Sequence, residues 1–359
     1  MTEIKRGRAT INISLGMFQP AKGLLMFVII LWHTMSSFNN FSEFPFYQLH
    51  PMIAVPKFIL DFFFNYTVIP VFFMMCGFSF RRRPLRYLIK GTPLYILKAY
   101  LFTTLIIICA KTLNAAIMGQ EVFLKLISQF FNYMLMVYPG AMWFLCVLAL
   151  NTIILNYVLT LKSRLSQIAV CLLLACIGML LKDIRLPFQI QQTYIRLPFQ
   201  ISQICICLSF MYTGYLMNEK KVLTKKFPWY ILVLFLLLNL FLFVRGNNHI
   251  SVGSNLYPNG MVDLIIAWLG GYVFMFGAAF LGQFNGRFFD LLVWMGQYSF
   301  LICCVHHVER ECVPLQHAVS LVIRDDVLQF YTVFVLRVIL CLALTYVILA
   351  YQKRKRLRT

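Results

Sequence analysis

The stretch KGLLMFVIILWH, residues 22–33, places ten consecutive uncharged, mostly apolar residues between a lysine and a histidine. A bilayer core of about 30 Å is crossed by about 20 predominantly apolar residues in helical form. We extend the segment to residue 38 and predict that it is a membrane-spanning helix. It lacks a small-residue cleavage site, so we expect it to remain attached as a signal anchor.

The composition of the whole chain supports the same interpretation. Of the 359 residues, 61% are hydrophobic and only 12% are charged, whereas soluble domains carry about 25% charged residues. This composition excludes a soluble enzyme, a disordered chain and a nucleic-acid-binding protein, because each needs a polar surface or a polar bulk. It predicts an all-α, polytopic membrane protein that folds as a single domain over residues 1–359.

Hydrophobic runs of similar length recur along the chain, separated by charged segments or by segments rich in Pro, Asn or Gly. The stretch 122–138 is apolar but carries Lys125, Gln129 and Asn132, so we expect it to lie along the membrane interface. We predict ten spans, at residues 22–38, 57–80, 93–118, 140–161, 165–181, 201–217, 229–244, 261–281, 291–308 and 330–351.

The basic residues indicate the orientation of these spans, since Lys and Arg collect in cytoplasmic loops. With ten spans and a cytoplasmic N-terminus, most of the 32 Lys and Arg residues fall on the cytoplasmic side. Both termini are therefore predicted to be cytoplasmic, as an N-terminal segment over 1–20 and a basic tail over 352–359. We interpret the tail as an anchor for lipid headgroups rather than as a nucleic-acid-binding segment.

The cysteines and histidines give no metal signature. The eleven Cys have no paired spacing and lie mostly inside apolar runs, where a thiol behaves as a small hydrophobic group. His306 and His307 precede Glu309, but tandem His side chains diverge on a helix, and no HxxxH or HExxH spacing supplies further ligands. We predict neither disulfides nor a metal site.

Titratable side chains at membrane depth are costly, so each is a candidate for a functional site. Lys22 and His33 are eleven residues apart, which places them on nearly the same helix face, about 16 Å apart along the axis. Lys22 is then expected at the cytoplasmic entrance and His33 beyond the midplane. The alternative is a packing role for a buried His33.

A basic cluster, RRRPLR at residues 81–86, directly follows the second predicted span. Its composition alone favours a topogenic role. The alternative is an anion site, because Arg side chains grip phosphates bidentately. Arg83 and Arg86 share a face if the segment after Pro84 is helical, which would make a cytoplasmic clamp for a phosphorylated cofactor.

The ninth predicted span ends in YSFLICCVHHVE, residues 298–309, and brings His306 near the outer face. A histidine that is oriented by a carboxylate, such as Glu309 or Asp61, is typical of a general base. Acyl transfer to a hydroxyl group requires such a base.

Taken in order, these residues resemble the acyltransferase-3 family of integral-membrane acyltransferases. The resemblance extends over nearly the whole membrane region, with one departure, since Cys76 stands where the family has Ser in its second-span signature. The matching motifs are Lys22-X10-His33, FFMMCGF at 72–78, Arg83-X-X-Arg86, WFL at 143–145, and Ser299 followed seven residues later by His306.

The resemblance implies acyl transfer from a cytoplasmic acyl-CoA, most often acetyl-CoA, to a hydroxyl of an extracytoplasmic or lipid-linked glycan. It implies no permanently bound cofactor, and a place in the bacterial cytoplasmic membrane with lipids, acyl-CoA and the glycan acceptor as partners. Within this reaction our hypothesis is that His33 and His306 are catalytic and that Lys22, Arg83 and Arg86 bind the CoA phosphates. The residues expected on the acceptor side are Asp61, Trp143, Ser299 and Glu309.

Two other functions stay open at this point. Some members of the family are described as polysaccharide exporters, and a buried histidine can relay protons, although the chain has no clear inverted repeat of the kind that transporters carry. A membrane scaffold without chemistry is the third alternative. The sequence IRLPFQI occurs twice, at 184–190 and 195–201; we interpret it as a duplication tolerated in an outer loop and assign it no function.

Overall fold

The computed structural model describes residues 16–38, 41, 48–136, 140–190, 193–196, 198–246 and 250–356. Most of the predicted N-terminal segment, the last three residues of the predicted basic tail and the end of the predicted interfacial stretch lie outside the described residues. The helices, in chain order, are α1 (Gln19–Met35), α2 (Pro51–Ile59), α3 (Val68–Phe78), α4 (Leu85–Lys90), α5 (Thr92–Ile117), α6 (Val122–Met134), α7 (Trp143–Val158), α8 (Arg164–Leu181), α9 (Ile201–Glu219), α10 (Trp229–Val244), α11 (Met261–Leu281), α12 (Arg287–Gln297), α13 (Ser299–Cys312), α14 (Leu315–Ser320) and α15 (Asp326–Arg356).

Local sequence signals explain where several of these helices begin. Pro20, Pro51 and Pro93 lie in the first turns of α1, α2 and α5, where a missing N–H costs nothing and the fixed φ suits a helix. Ser163 caps α8, since its hydroxyl accepts a hydrogen bond from the backbone nitrogen of Ser166. The helix starts therefore follow from the sequence.

The helices coincide with the ten predicted spans, each of which contains a helix or a bent pair of helices. Within the described residues, four segments are long and apolar enough to cross a bilayer. The number rises to six if two bent pairs of helices, α2 with α3 and α12 with α13, are each counted as one span. The four are 85–117, Arg164–Leu181, Met261–Leu281 and the long α15. The predominantly helical architecture of a membrane protein is thus confirmed, and the count of ten spans and the cytoplasmic termini stay predictions.

Both bent pairs are interrupted by short segments that are not α-helical. A π-helical segment, Leu60–Phe64, follows α2 and precedes α3. The helices α12 and α13 meet at Tyr298 with a bend of 77°. Kinks at such interruptions are usual in helices. The second bend matters for the site because α13 carries His306 and Glu309.

A short hairpin in the described residues departs from the all-α prediction. The strand β1 (Arg185–Ile190) pairs antiparallel with β2 (Thr193–Arg196), and Arg185 lies opposite Arg196. The first IRLPFQI copy forms β1, whereas the second divides between β2 and a 3₁₀ turn that precedes α9. Because only two residues separate the strands, the predicted outer loop can fold back on itself as a tight hairpin.

The chain divides into two compact units, and the first comprises Met1–Phe64 and Ala278–Thr359. Within it, α1 packs closely on α12, where Gly23 faces the backbone of Leu292 and Gly296 faces the backbone of Gln19. A β-carbon at either glycine would overlap a carbonyl oxygen. Small residues let helix backbones approach in this way in membrane proteins. The contact fixes the position of α1, which carries Lys22 and His33.

The second unit comprises Asn65–Gly277 and contains a similar crossing between α3 and α9. Here the contact is reciprocal, since Gly77 faces the backbone of Met211 and Gly214 faces the backbone of Met74. Gly77 belongs to the FFMMCGF motif. The motif therefore has a packing role, because it lets α3 and α9 touch along their backbones.

A fully buried carboxylate holds the start of α11 in the second unit. Asp263 accepts hydrogen bonds from the Tyr66 hydroxyl at 2.8 Å and from the backbone and side-chain nitrogens of Asn259 at 2.8 and 2.9 Å. Its place in the first turn of α11 also suits the helix dipole. Three donors satisfy this charge, so we interpret Asp263 as a structural residue.

Candidate active site

Five polar side chains from three helices meet inside the first unit, and we call them the His–Arg cluster. α1 supplies His33 near its end, and α15 supplies Arg337 from within its apolar stretch. His306, Glu309 and Arg310 come from α13, where residues three and four apart lie on the same face. Thus α13 presents an imidazole, a carboxylate and a guanidinium toward neighbouring helices.

The two histidines lie side by side. The ring centroids of His33 and His306 are 5.4 Å apart, with the ring planes tilted by 34°. His33 Nδ1 lies 2.9 Å from Nη1 of Arg310. His33 is half-buried, whereas His306 is almost completely buried. An imidazole pair at this separation can contact a single reacting group placed between or beside the rings.

A carboxylate orients His306. Its Nδ1 lies 3.2 Å from Oε2 of Glu309, and the Cys341 sulfur is 3.9 Å from the same nitrogen. The side chain of Glu309 is fully buried. The sequence offered two carboxylates that could orient a histidine, and Glu309 does so for His306. The other, Asp61 on the π-helical segment, forms an ion pair with Lys57 at 3.0 Å.

Arg337 connects the three helices of the cluster. Its Nε donates to Oε1 of Glu309 at 3.2 Å, and its Nη1 donates to the His33 carbonyl oxygen at 3.2 Å. The same Nη1 lies 3.3 Å from the Thr34 hydroxyl and 3.1 Å from the Ser37 hydroxyl. A buried arginine needs such partners, because an unpaired charge in this environment costs several kcal/mol.

The charges of the cluster favour a negative group. Two guanidinium groups, Arg310 and Arg337, stand against one carboxylate, Glu309. With neutral imidazoles the cluster carries one excess positive charge. Fixed donors and positive charge of this kind stabilise negative charge that develops in a transition state. The cluster can therefore transfer a proton through its imidazoles and stabilise an oxyanion through its donors.

Two residues of the cluster and the neighbouring Cys341 have ligand atoms close enough together to bind a metal ion. The ligand atoms of His306, Glu309 and Cys341 are all within 4.8 Å of one another. However, the Glu309 carboxylate already accepts from Arg337, so a cation there would lie beside a guanidinium group. The arrangement suits proton transfer better than metal binding, and the absence of a metal stays a prediction.

Two further predicted residues of the first unit lie on the same helices as the cluster. Lys22 is half-buried on α1, which runs unbroken from Gln19 to Met35. The helix thus holds Lys22 and His33 about 16 Å apart along one axis, as the spacing predicts. Ser299 begins α13, two turns and about 10 Å before His306.

The predicted residues Arg83, Arg86 and Trp143 belong to the second unit. Arg83 and Arg86 are exposed; α4 begins only after Pro84, so Arg83 precedes the helix and Arg86 lies within it. The backbone nitrogen of Arg83 donates to Oδ1 of Asn156 at 3.1 Å. A groove of about 460 Å³ opens there, lined by Arg82, Arg83, Pro84, Leu85, Asn156, Tyr157 and Thr160. Trp143 is buried at the start of α7 and packs against Gly253.

Sequence reasoning missed Arg310, Arg337 and Cys341. A signal existed for Arg337, because it is an arginine inside the otherwise apolar run 330–351, and such residues mark functional sites or buried partners. Arg310 directly follows Glu309 at a helix end, where a basic residue is ordinary. Only the fold brings Arg310 to His33, which lies 277 residues earlier.

The comparisons with known proteins now identify the class. The chain belongs to the acyltransferase-3 family, since the family model described as an acyltransferase domain matches residues 21–349, nearly the whole chain. It is accordingly a membrane acyltransferase. Comparison with curated proteins and with solved structures gave no significant match. The matched range includes every residue of the His–Arg cluster and the Arg83–Arg86 pattern.

Proposed function

We propose that the protein is an O-acyltransferase of the bacterial cytoplasmic membrane, which moves an acetyl group from cytoplasmic acetyl-CoA to a hydroxyl of an extracytoplasmic or lipid-linked polysaccharide. In this proposal the chain crosses the membrane ten times with both termini in the cytoplasm. Acetyl-CoA is a substrate, and no cofactor is bound permanently. The acyltransferase class follows from the family, and the donor and acceptor are our proposal.

One observation carries the chemical part of this proposal. Two imidazoles from helices distant in sequence, His33 and His306, lie 5.4 Å apart, and Glu309 orients the second. Transfer to a hydroxyl needs a base for the hydroxyl proton and a donor for the carbonyl oxygen. The His–Arg cluster supplies both in a buried place.

The remaining proposed roles follow from the charges and from the motifs of the sequence. Arg83, Arg86 and Lys22 bind the CoA phosphates, which suits the exposed arginines beside the 460 Å³ groove and the half-buried Lys22. Asp61, Trp143, Ser299 and Glu309 belong to the acceptor side; for Glu309, the contact with His306 makes orientation of the imidazole the main task. His33 and His306 are the catalytic residues.

The test compares the O-acetyl content of envelope glycans by mass spectrometry in cells with the gene, without it, and with His306→Ala. We expect O-acetyl esters to disappear on deletion and with His306→Ala, while the amount of exported polymer stays unchanged. His317→Ala is the matched control, because His317 is exposed on α14. Loss of polymer export with unchanged ester content would support an exporter and contradict the proposal.

A further inference from the structure

The two histidines of the cluster have partners of opposite charge. His33 is contacted at Nδ1 by a cation, the Arg310 guanidinium, at 2.9 Å. His306 is contacted at Nδ1 by an anion, the Glu309 carboxylate, at 3.2 Å. Since the partner of one ring nitrogen fixes which nitrogen carries the proton, the two rings are held in different tautomers.

The tautomer of His33 follows from the chemistry of arginine. A guanidinium group has five N–H donors and no acceptor, and it stays protonated in proteins. The short contact with Arg310 therefore requires Nδ1 of His33 to be the unprotonated acceptor. A neutral His33 then carries its proton on Nε2 and offers a donor there.

The tautomer of His306 is the reverse. Glu309 accepts a hydrogen bond from Arg337 through Oε1 and forms a buried ion pair with it. An ionised carboxylate only accepts, so the Nδ1 of His306 donates to Oε2 and its Nε2 is the unprotonated nitrogen. This Nε2 is buried and has no hydrogen-bond partner among the described residues.

We propose that the two histidines divide the reaction, with His306 as the general base and His33 as the hydrogen-bond donor to the thioester oxygen, and that Arg310 is the positioning residue that sets His33 in this state. This inference rests on the proposed acyl transfer. It gives different tasks to two histidines that were both expected to be catalytic.

The acceptor hydroxyl gives its proton to Nε2 of His306 while its oxygen bonds to the thioester carbon. The carbonyl oxygen becomes an oxyanion that accepts a hydrogen bond from Nε2–H of His33. The oxyanion then collapses, the carbon–sulfur bond breaks, and the leaving thiolate takes the proton from His306. The products are the acyl ester and free CoA thiol, with both rings restored.

The reverse assignment conflicts with the geometry. A neutral His33 acting as a base through Nε2 would need its proton on Nδ1, where it would point at a group that can only donate. For His306, by contrast, Glu309 stabilises the neutral ring that carries its proton on Nδ1. Arg310 and Glu309 thus favour different functions in two chemically identical side chains.

Glutamine variants separate a donor from a base. A Gln amide can donate a hydrogen bond but cannot act as a base near neutral pH. We therefore expect His33→Gln to retain a kcat at least about tenfold above that of His33→Ala, in line with the effect of an oxyanion donor. His306→Gln should be as inactive as His306→Ala. The assay measures acetyl transfer from acetyl-CoA by the purified full chain in vesicles. If His33→Gln is no better than His33→Ala, the division of roles is wrong.

Nitrogen-15 NMR tests the tautomers without any turnover. In the full chain labelled at histidine, the His33 signals are identified by their loss in His33→Gln. We expect an unprotonated Nδ1 at His33 in the unsubstituted protein and in Arg310→Lys. In Arg310→Met, His33 should no longer be held in this single tautomer. The kcat of Arg310→Met should fall about tenfold or more, with KM for acetyl-CoA changed less than about twofold, and Arg310→Lys should recover part of it. A protonated Nδ1 at His33 in the unsubstituted protein contradicts the proposal.

The two measurements also keep this inference distinct from the proposed function. If the unsubstituted protein transfers no acetyl group to any envelope glycan, the proposed function is wrong, and the roles proposed for the two histidines fall with it. The tautomers measured by NMR are a separate result, because that measurement does not depend on acetyl transfer. If transfer occurs but the spectra show the opposite tautomers, only the division of roles is wrong.

Discussion

Arg337 and Glu309 form a buried ion pair in which Nε and Oε1 are 3.2 Å apart. Arg337 also donates to the end of α1 through the His33 carbonyl and the Ser37 hydroxyl. The pair therefore supports both histidines: it orients Glu309 toward His306 and holds the backbone of His33. Its removal should affect stability as well as activity.

The first prediction concerns this pair. Arg337→Met leaves the Glu309 carboxylate buried without its cation, which should cost about 3–5 kcal/mol and lower the melting temperature in detergent micelles. Adding Glu309→Gln should recover part of the loss, because the charge that was left unpaired is then gone. Arg245→Met is the control, since Arg245 is exposed. Equal melting temperatures for Arg337→Met and Arg245→Met would contradict this account of the pair.

The second prediction concerns the crossing of α3 and α9. Gly77→Ala places a β-carbon against the backbone oxygen of Met211, and such overpacking should cost about 1–3 kcal/mol. Gly277→Ala is the matched control, because a β-carbon at this glycine of α11 meets nothing within 4 Å; it should be neutral or stabilising by up to about 1 kcal/mol. Thermal unfolding of the two variants gives the comparison. The close approach has no energetic importance if both variants melt alike.

The third prediction concerns the arginines beside the groove. Replacing Arg83 or Arg86 by Gln removes a charge proposed to bind CoA phosphates, so KM for acetyl-CoA should rise about tenfold or more, which corresponds to one lost charge-assisted contact. Arg245→Gln should leave KM unchanged. Transfer rates measured over a range of acetyl-CoA concentrations provide the test, and an unaltered KM in both Arg83→Gln and Arg86→Gln would favour the topogenic role of the cluster.

The fourth prediction is a pH dependence at the ends of α8 and α9. The hydrogen bond from Arg164 holds the pKa of Glu219 below its ordinary value, and the attraction of the same guanidinium adds to the effect. The pair is largely exposed, so its contribution is small. Because the pKa of Glu219 is lower in the folded protein, the ion pair stabilises the fold at pH values above the unfolded pKa of about 4.3. This stabilisation is lost as the pH falls through the pKa of the folded state.

Glu219→Gln should consequently lower the melting temperature slightly at about pH 7, and this difference should shrink as the pH falls towards about 3, because a growing share of the carboxyl groups is then protonated in both states. Glu121→Gln serves as the comparison, because Glu121 is an exposed glutamate at the start of α6. A melting-temperature difference for Glu219→Gln that stays constant between these pH values would show that the ion pair contributes nothing.

Much of the fold was accessible from the sequence, for a simple reason. The length of each apolar run and the breaks between runs reflect the thickness of a bilayer, and helices occur at all ten predicted positions. The alignment of Lys22 and His33 on one helix likewise follows from spacing alone. The hairpin at 185–196 was not foreseen, because its pairing depends on a local duplication rather than on hydrophobic periodicity.

The site was accessible only in part. His33 and His306 were recognised as costly in a membrane and as matches to a family, and Glu309 as a carboxylate that could orient a histidine. Spacing does not say that α1 and α13 bring these side chains together. Arg337 carried a readable signal, as a charge inside an apolar run. Arg310 carried none, because its importance comes from a contact with His33 that exists only in three dimensions.

The most direct test of the proposed function uses the purified chain in lipid vesicles, with radiolabelled acetyl-CoA and an isolated envelope polysaccharide or lipid-linked glycan as acceptor. The unsubstituted protein and His317→Ala should form alkali-labile O-acetyl esters at equal rates, and His306→Ala should lower the rate by at least about a hundredfold. Ester formation by His306→Ala at the unsubstituted rate would contradict the central role of the His–Arg cluster.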